Sequence, residues 1–309
     1  MELVYWQGEH GNFGDDMNLW FWDDVMPGWR DWDTPDLLLG IGSLLGSPVQ
    51  DLDARAKKLV MGAGAGYGEV PSLTPGTWDI RCVRGPRTAT ALGLSASLGI
   101  TDGAVMTSRL ERFSVIDRHD QVLFVPHHAT ATDPEFDWEA ICAEAGVTLL
   151  SPCGDAESVI RTIAGARLVL AQSLHAAIIA DAFRVPWRAL RGNHFSALKW
   201  TDWAESMDVP LDLDPLFPLT PHFRRVHGRL FGARRKRGHR LDSSIAEQRP
   251  APRRRPSRLE RRVLALDAGR ALRRAARLEP FLSTDAVLAE RQERFQSVVD
   301  GVIRDYAAA

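Results

Sequence analysis

The chain has 309 residues, of which 45% are hydrophobic and 25% charged, with a formal net charge of −2, as expected of a globular protein with one or two domains. No apolar run reaches the roughly 20 residues that cross a bilayer, which excludes a membrane-spanning protein. The three cysteines are far apart and lack CxxC spacing, which argues against a disulfide framework and a zinc site.

The chain opens on an apolar strand pattern, LVYW at 3–6, without the basic and apolar regions of an export signal. Because unpaired cysteines also fit a reducing compartment, we expect a cytoplasmic protein.

Alternating strand and helix patterns follow in chain order. Buried strands are predicted at 3–6, 36–42, 58–64, 79–85, 122–126, 147–150, 167–172 and 185–190. Helical patterns between them lie at 86–93, 137–146, 156–165 and 175–184. Continuous apolar strands that alternate with helices are typical of parallel sheets covered on both faces, so we predict an α/β protein.

A charged stretch at 111–120, without a strand pattern, divides this alternation into two halves. We predict an N-terminal α/β lobe over 1–112 that serves the acceptor, and a second α/β lobe over 113–222 that serves the donor. The active cleft is expected between them.

The character of the chain changes near residue 224. Between His222 and Leu278 there are 19 Lys and Arg against 4 Asp and Glu, a formal charge of +15, so the remainder carries −17. We interpret 223–282 as a basic, partly disordered linker containing a helix that begins at the S-x-x-E pattern of Ser257 and Glu260. A final amphipathic helix over 283–309, with Ser283 as its N-cap, is predicted to dock on the folded body.

The loop after the first strand, QGEHGNFGDDMNLW, combines glycines with amide and carboxylate side chains. Its glycines, Gly14 among them, permit backbone conformations that a side chain would block. Asn12, Asp15 and Asp16 are candidates to hold or deprotonate a sugar hydroxyl. The alternative is a plain turn in which the two aspartates cap the next helix.

The segment RCVRGPRTA predicts an anion site. A strand ends at Arg84, and Pro86 suits the first turn of a helix, so Arg84 and Arg87 lie near free backbone N–H groups at the positive end of the helix dipole. For either arginine the alternative is an ion pair with a surface carboxylate. The glycine-rich GAGAGYG at 62–68 does not open a helix, so we interpret it as a loop near the cleft and not as a nicotinamide site.

In the second half, AQSLHAAIIADAFRVPW places Ser173, Leu174 and His175 where a strand passes into an apolar helix. Ligands of open α/β folds bind at this carboxyl edge of the sheet. VPHH at 125–128 places His127 at the end of another strand, and a structural role is the alternative for each of these histidines.

These segments resemble the polysaccharide pyruvyl transferases, also called ketal pyruvate transferases, and most closely their exopolysaccharide, succinoglycan-type branch. The resembling pieces are YWQGEHGNFGDDMN, GIGSLL, MGAGAGYG, DIRCVRGPRTATALG, ITDGAVM, VPHH, SLHAAIIADAFRVPW and LKWTDW. They cover about the first two-thirds of the chain in order. Ala176 departs from the glycine usual in the family, and the basic segment matches nothing in it.

The resemblance implies two Rossmann-like lobes similar to type-B glycosyltransferases. It implies phosphoenolpyruvate as donor, a sugar of a lipid-linked repeat unit as acceptor, and a cyclic pyruvate ketal as product. It also implies a donor site that includes Arg84, Ser173, Leu174 and His175, to which we add Arg87 and His127. The acceptor side is assigned to Asn12, Gly14 and Lys199, the last from LKWTDW.

Ketal formation needs a proton donor and a proton acceptor. We assign His175 as the acid toward the donor, and Asp15 or Asp16 as the base or orienting group for the acceptor hydroxyl. No redox or Schiff-base step occurs, so we expect no organic cofactor. The aspartates offer oxygen ligands to a divalent ion, but carboxylates alone do not define a metal site, and none is assigned.

Two other functions fit the same segments. A nucleotide-sugar glycosyltransferase would share the two-lobed architecture, and a non-catalytic scaffold would keep the fold without binding a donor. Arg84, Ser173 and His175 together speak against the scaffold.

The basic residues 224–277 are expected to meet anionic lipid at the inner face of the membrane, and a tail without a ligand is the alternative. Nucleic acid is disfavoured because few aromatic residues are available to stack on bases.

Overall fold

The computed structural model describes residues 1–217 and 257–307. Its first lobe contains a four-stranded parallel sheet. In spatial order the strands are β1 (Glu2–Val4), β2 (Leu37–Leu39), β3 (Lys58–Met61) and β4 (Trp78–Cys82). The helices of this lobe are α1 (Phe13–Asp16), α2 (Asn18–Val25) and α3 (Pro86–Ala91). Short 3-10 helices lie at Trp29–Asp31, Ser47–Val49, Ala96–Leu98, Gly103–Arg109 and Glu111–Phe113.

The second lobe contains a five-stranded parallel sheet. Its strands are β5 (Val122–Val125), β6 (Thr148–Leu149), β7 (Leu168–Ala171), β8 (Trp187–Arg191) and β9 (Leu213–Pro215), in the spatial order β6-β5-β7-β8-β9. Its helices are α4 (His128–Ala131), α5 (Trp138–Ala145), α6 (Ala156–Gly165), α7 (Leu174–Ala182) and α8 (Ala197–Ser206). Strands β5 and β7 are buried along their whole length, as expected of apolar strands covered on both faces.

Side-chain caps fix where several of these helices begin. The carboxylates of Asp137 and Asp155 accept hydrogen bonds from the backbone N–H groups of Ala140 and Ser158, at the starts of α5 and α6. Helix α5 is capped at its C-terminus by Gly146, whose φ of 72° is a left-handed conformation that favours glycine.

Two further helices complete the described chain. Helix α9 (Arg258–Ala275) begins with the predicted capping box of Ser257 and Glu260 and packs on α5 of the second lobe through Ala268, Leu272 and Ala275. Helix α10 (Asp285–Tyr306) packs on the first lobe, where Phe295 lies against Gly62 and Gly103. No helix in the described part of the chain is long and apolar enough to span a membrane.

The two lobes share one hydrophobic core. This core joins Phe13 and Ile41 of the first lobe to Val125 and Ile178 of the second. Helix α7 packs against the 3-10 helix Gly103–Arg109, and α8 packs against α3. Elements of the second lobe therefore contact the first lobe directly and hold the two carboxyl edges close together.

The predicted α/β class with parallel sheets is confirmed, and each predicted strand overlaps an observed one. Strand β9 was missed, because an edge strand containing aspartate and proline lacks a strand pattern. The N-cap predicted for α10 was wrong by one residue: Thr284 caps the helix, while Ser283 is buried and bonds to Asp181. Of the predicted basic linker, residues 223–256 lie outside the described part of the chain.

Candidate functional site

A cavity of about 700 Å³ lies between the two lobes. From the first lobe it is lined by Trp6, Asn12, Asp15, Ser43, Tyr67, Arg84 and Asp102. From the second lobe come His127, His128, Gln172, Ser173, Leu174, His175, Asn193, His194 and Lys199, with several neighbours. Most of these residues follow the carboxyl ends of strands in both sheets, the edge at which open α/β folds bind ligands.

The loop after β1 meets the start of α7 in this cavity. The backbone of Gly14 lies so close to His175 that an added Cβ would overlap the imidazole ring. Phe13 packs edge-on against the same imidazole, with 6.4 Å between the ring centroids. The acceptor-side loop and the donor-side histidine predicted from sequence are therefore direct neighbours.

Asp15 is the buried carboxyl group of this loop. Burial raises the pKa of Asp15 to about 7, although Lys199 and a hydrogen bond from the Asn12 amide oppose the shift. Asp16, by contrast, does not line the cavity, and its carboxylate accepts a 2.7 Å hydrogen bond from the backbone N–H of Asn12. Of the two aspartates predicted for catalysis, the structure places Asp15 in the cavity and gives Asp16 a role in fixing the loop.

Four imidazoles line the second-lobe side of the cavity. Burial lowers the pKa of His175 to about 3, with Lys199 and Arg84 adding to the shift. Burial likewise lowers the pKa of His127 to about 2 and that of His128 to about 4. The rings of His127 and His194 stack with their centroids 5.2 Å apart. His127, His128 and His175 are therefore neutral at neutral pH in the free protein.

Arg84 is buried beneath the cavity and held at three points. Its Nε donates to Asp202 over 3.1 Å, its Nη1 to Ser43 Oγ over 3.0 Å, and its Nη2 to the carbonyl oxygen of Ala65. The glycine-rich loop makes this possible, since a Cβ added at Gly64 would overlap the guanidinium. Three of the five N–H groups of Arg84 are thus used to fix its position.

The anion at the N-terminal, positive end of α3 is a carboxylate of the protein itself. The carboxylate of Asp202, from α8, accepts hydrogen bonds from the backbone N–H groups of Arg87 (2.9 Å) and Thr88 (3.0 Å). The Arg87 side chain is half exposed, pairs with Glu205 and does not line the cavity. For Arg87 the structure thus favours the alternative of a carboxylate ion pair over the predicted donor contact.

Lys199 reaches across the cavity from α8. Its ammonium group donates a 2.5 Å hydrogen bond to the hydroxyl of Tyr67 and lies 3.9 Å from the centroid of that ring. Lys199 and Arg84 are the basic side chains that the cavity lining contributes in the described residues.

The cavity brings together most of the residues proposed from sequence, namely Asn12, Asp15, Arg84, His127, Ser173, Leu174, His175 and Lys199. Gly14 supports the site by its contact with His175, whereas Asp16 and Arg87 lie outside the lining.

Sequence reasoning missed Asp102, whose burial raises its pKa to about 6, and also Trp6, Tyr67 and His194. Asp102 is in ITDGAVM and Tyr67 in GAGAGYG, so a closer look at those segments offered a signal for both. His194 follows β8 without any motif. In the described ranges, no group of three or more His, Cys, Asp or Glu side chains is arranged to hold a metal ion.

Comparison with known proteins identifies the family of the chain. Residues 107–194 match the family described as polysaccharide pyruvyl transferase. Over 323 aligned positions the chain is 40% identical to the succinoglycan biosynthesis protein ExoV of Rhizobium meliloti (strain 1021), and the match spans 99% of this chain and 100% of that protein. No solved structure matches the chain. On the strength of this nearly full-length similarity, the chain belongs to the polysaccharide pyruvyl transferase family and is a transferase.

Proposed function

We propose that the protein transfers the pyruvyl group of phosphoenolpyruvate to two hydroxyls of one sugar in an exopolysaccharide precursor, forming a cyclic ketal. The observation that carries the proposal is the meeting of Arg84, Lys199 and His175 with the carboxyl of Asp15 in one cavity. This set offers cationic and imidazole groups to a small anion, and it places a proton donor and a proton acceptor near each other.

Phosphoenolpyruvate carries a carboxylate and a phosphate, and two basic side chains of the cavity lining are proposed to bind them. Arg84 and Lys199 supply positive charge, and each charge-assisted hydrogen bond contributes about 1.5–3 kcal/mol. The start of α7 adds backbone N–H groups, because the side chain of the N-cap residue Ser173 makes no capping hydrogen bond to them. In this proposal the donor anion lies at Ser173, Leu174 and His175.

Ketal formation requires two additions to the central carbon of the donor. A proton adds to the methylene carbon, one sugar hydroxyl bonds to the central carbon, the bond from that carbon to the phosphate oxygen breaks, and the second hydroxyl closes the ring. Of the two hydroxyl protons released, one balances the new methyl group and the other leaves on phosphate. The reaction therefore needs no redox partner.

On the pKa directions we propose to exchange the acid and the base assigned from sequence. Asp15, with a pKa raised to about 7, holds its proton for much of the time at neutral pH, whereas the pKa of His175 is lowered to about 3. Environments that move two titratable groups apart in this way identify the acid and the base. We assign Asp15 as proton donor to the methylene carbon and neutral His175 as acceptor of the hydroxyl proton.

The acceptor is proposed to be a lipid-linked repeat unit of a succinoglycan-type polymer. The similarity to a protein named for succinoglycan biosynthesis supports the polymer class. The basic part of the chain supports the lipid linkage, because a segment with a formal charge of +15 is attracted to an anionic bilayer by about 1 kcal/mol per basic residue near the surface.

Helix α9 supports a peripheral membrane position. Opposite the face that packs on the second lobe, Leu259, Val263 and Leu266 are exposed, Leu259 by 73%. Arg262 and Arg270 are exposed beside them. An apolar row flanked by arginines is the pattern of a helix that lies in a lipid headgroup layer.

Vesicle sedimentation tests this position. We expect binding to vesicles containing phosphatidylglycerol but not to pure phosphatidylcholine, and weaker binding at high salt. The double variant Leu259→Ser and Leu266→Ser should bind less, while Val115→Ser, at an exposed position outside α9, should bind as the wild type does. Equal binding by both variants would contradict the role of α9.

Donor choice tests the function itself. Phosphoenolpyruvate with a succinoglycan oligosaccharide freed of its ketals by acid should yield inorganic phosphate and an acceptor heavier by one pyruvyl ketal. His175→Ala should lower kcat by about 10²–10⁴. His119→Ala, whose imidazole bonds to the carbonyl of Thr162, is the control. Stabilisation against heat by a nucleotide sugar but not by phosphoenolpyruvate would instead favour a glycosyltransferase.

A further inference from the structure

Two exposed aromatic rings lie in the cavity, and the reaction scheme gives them no role. Among the described residues, the exposed large apolar side chains are Trp6, Leu19, Tyr67, Val115, Leu259, Val263, Leu266, Leu278 and Leu282. The two aromatic members of this set are Trp6, exposed by 37%, and Tyr67, exposed by 36%. Both line the cavity, whereas none of the aliphatic members does.

Both rings are fixed in place by neighbouring groups. The indole of Trp6 packs over Gly8 and against the imidazole of His128, with 4.8 Å between the ring centroids. The hydroxyl of Tyr67 accepts a hydrogen bond from Lys199. Because these contacts orient the rings before a ligand arrives, little conformational entropy is lost when a ligand stacks on them.

The electrostatics of an aromatic face select a neutral ligand. The face of an indole or phenol ring carries partial negative charge, so it repels an anion such as phosphoenolpyruvate and attracts the polarised C–H groups on one side of a sugar ring. The cavity of about 700 Å³ is also far larger than a three-carbon phosphate ester requires. The indole face of Trp6 therefore fits the second substrate and not the donor. At Tyr67 the ammonium of Lys199, 3.9 Å from the ring centroid, offsets the charge of the ring, so Tyr67 contributes apolar stacking area.

The surrounding polar groups fit the same ligand. Trp6 and Asn12 lie on one loop after β1, and Asn193 of the second lobe also lines the cavity. Amide side chains both donate and accept hydrogen bonds, which is what sugar hydroxyls require at the rim of an aromatic platform.

From this placement we propose that Trp6 and Tyr67 determine acceptor specificity by stacking on the sugar rings of the acceptor. The inference rests on the proposed function, and it adds residues that contact the saccharide but not the donor. It identifies the acceptor as a saccharide with an exposed apolar ring face.

The test separates acceptor binding from donor binding. Trp6→Ala is expected to raise KM for the ketal-free succinoglycan oligosaccharide by about tenfold, which corresponds to about 1.4 kcal/mol, and to leave KM for phosphoenolpyruvate unchanged. Tyr67→Ala should raise the acceptor KM by more than Tyr67→Phe does, because both variants remove the hydroxyl bonded to Lys199 but only the first removes the ring. Leu19→Ala truncates an exposed apolar side chain outside the cavity and should change neither value. Tyr67→Phe keeps the ring but removes the hydroxyl bonded to Lys199, so it should retain most of the acceptor affinity.

A merely structural role of Trp6 would raise both KM values in Trp6→Ala, and that result would overturn the inference. Equal acceptor KM values in Tyr67→Ala and Tyr67→Phe would overturn it for Tyr67. An unchanged acceptor KM in both alanine variants would overturn it as well. Should an alanine variant unfold, Trp6→Leu is measured in its place. Oligosaccharide binding followed by tryptophan fluorescence gives a readout independent of turnover. If the wild type binds the oligosaccharide but releases no phosphate, the proposed function fails and the acceptor inference stands.

Discussion

The pKa values of Asp15 and His175 are in the reverse of their usual order, with that of the aspartate above that of the histidine. The cause is burial, which penalises the charged form of each group: it raises the pKa of Asp15 to about 7 and lowers that of His175 to about 3. Their neighbours act unequally, since Lys199 opposes the shift of Asp15 but adds to that of His175. The chemistry proposed for the site depends on this environment more than on the residue types.

Asp15→Asn should change how stability depends on pH. The pKa of Asp15 has the ordinary value of 3.8 in the unfolded chain and is raised to about 7 in the folded protein, so between these values the folded state holds a proton that the unfolded chain has lost. Asp15 therefore makes the free energy of unfolding fall as pH rises through this window. We expect the variant to gain stability relative to the wild type from about pH 4 to pH 7, measured by urea denaturation.

The control for this prediction has the opposite sign. Hydrogen bonds from Ser158 lower the pKa of the exposed N-cap Asp155, so its contribution is present above the unfolded pKa and is lost as pH falls. Asp155→Asn should accordingly show no gain relative to the wild type as pH rises. A difference between Asp15→Asn and wild type that stays constant with pH would refute the assigned shift.

At the scale of elements, the site depends on close contacts between loops and helix starts. The backbone of α1 approaches α7 at Gly14 and His175, and the start of α3 is capped by Asp202 from α8. The first lobe thus positions His175 of the second lobe through Gly14, and the second lobe positions Arg84 of the first lobe through Asp202.

Gly14→Ala should displace the His175 imidazole. The added methyl would occupy the volume of the ring, so we expect kcat for phosphate release to fall at least tenfold while circular dichroism shows a folded protein. Gly301→Ala in α10 is the control, because its Cβ would meet only Arg304 at 3.7 Å and alanine favours the helix by about 1 kcal/mol. Wild-type turnover in Gly14→Ala would show that the imidazole position does not matter.

Asp202→Ala should destabilise the protein strongly. The substitution leaves buried Arg84 without its carboxylate and removes the cap of α3, and breaking a buried pair costs about 3–5 kcal/mol. Glu205→Ala, three residues further along α8, removes only the exposed pair with Arg87 and should cost less than about 1 kcal/mol. Equal midpoints of urea denaturation for the two variants would contradict this account.

Substitution of Arg87 tests whether its side chain contacts the donor. Because the Arg87 side chain points to Glu205 and not into the cavity, Arg87→Ala should leave KM for phosphoenolpyruvate unchanged. A KM raised tenfold or more would restore the donor role predicted from sequence.

At the scale of the molecule, the last helix returns from the second lobe to the first. It is tied there by Tyr306, which donates a hydrogen bond to Asp79, and by Gln292, which donates to the carbonyl of Val105. This crossing and the shared core join the two lobes on either side of the cavity, so we expect the lobes to unfold as one cooperative unit.

Phe295→Ala tests this coupling. Phe295 is fully buried against Gly62 and Gly103, and truncation of a buried phenylalanine costs about 3–5 kcal/mol. We expect one unfolding transition at a lower urea concentration, and Ser297→Ala on the same helix should change little. Two separate transitions, one for each lobe, would show that the lobes are not coupled through α10.

The sequence by itself determined the α/β class and most strands, because buried parallel strands have continuous apolar runs that are visible without a partner. It also identified Asp15, Arg84, Ser173 and His175 as candidates, since each follows a strand or begins a helix at the functional edge. Motif position therefore predicted a part of the cavity lining.

The tertiary structure decided what those side chains do there. Which carboxyl is buried, Asp15 or Asp16, and which anion occupies the start of α3 both depend on segments far away in the chain, such as Asp202 and Lys199. The same holds for the aromatic pair, because exposure of Trp6 and Tyr67 is a property of the assembled surface. Unlike the apolar runs of the strands, the burial of a single polar side chain and its long-range pairing arise only when distant segments pack, so the sequence around these residues does not predict them.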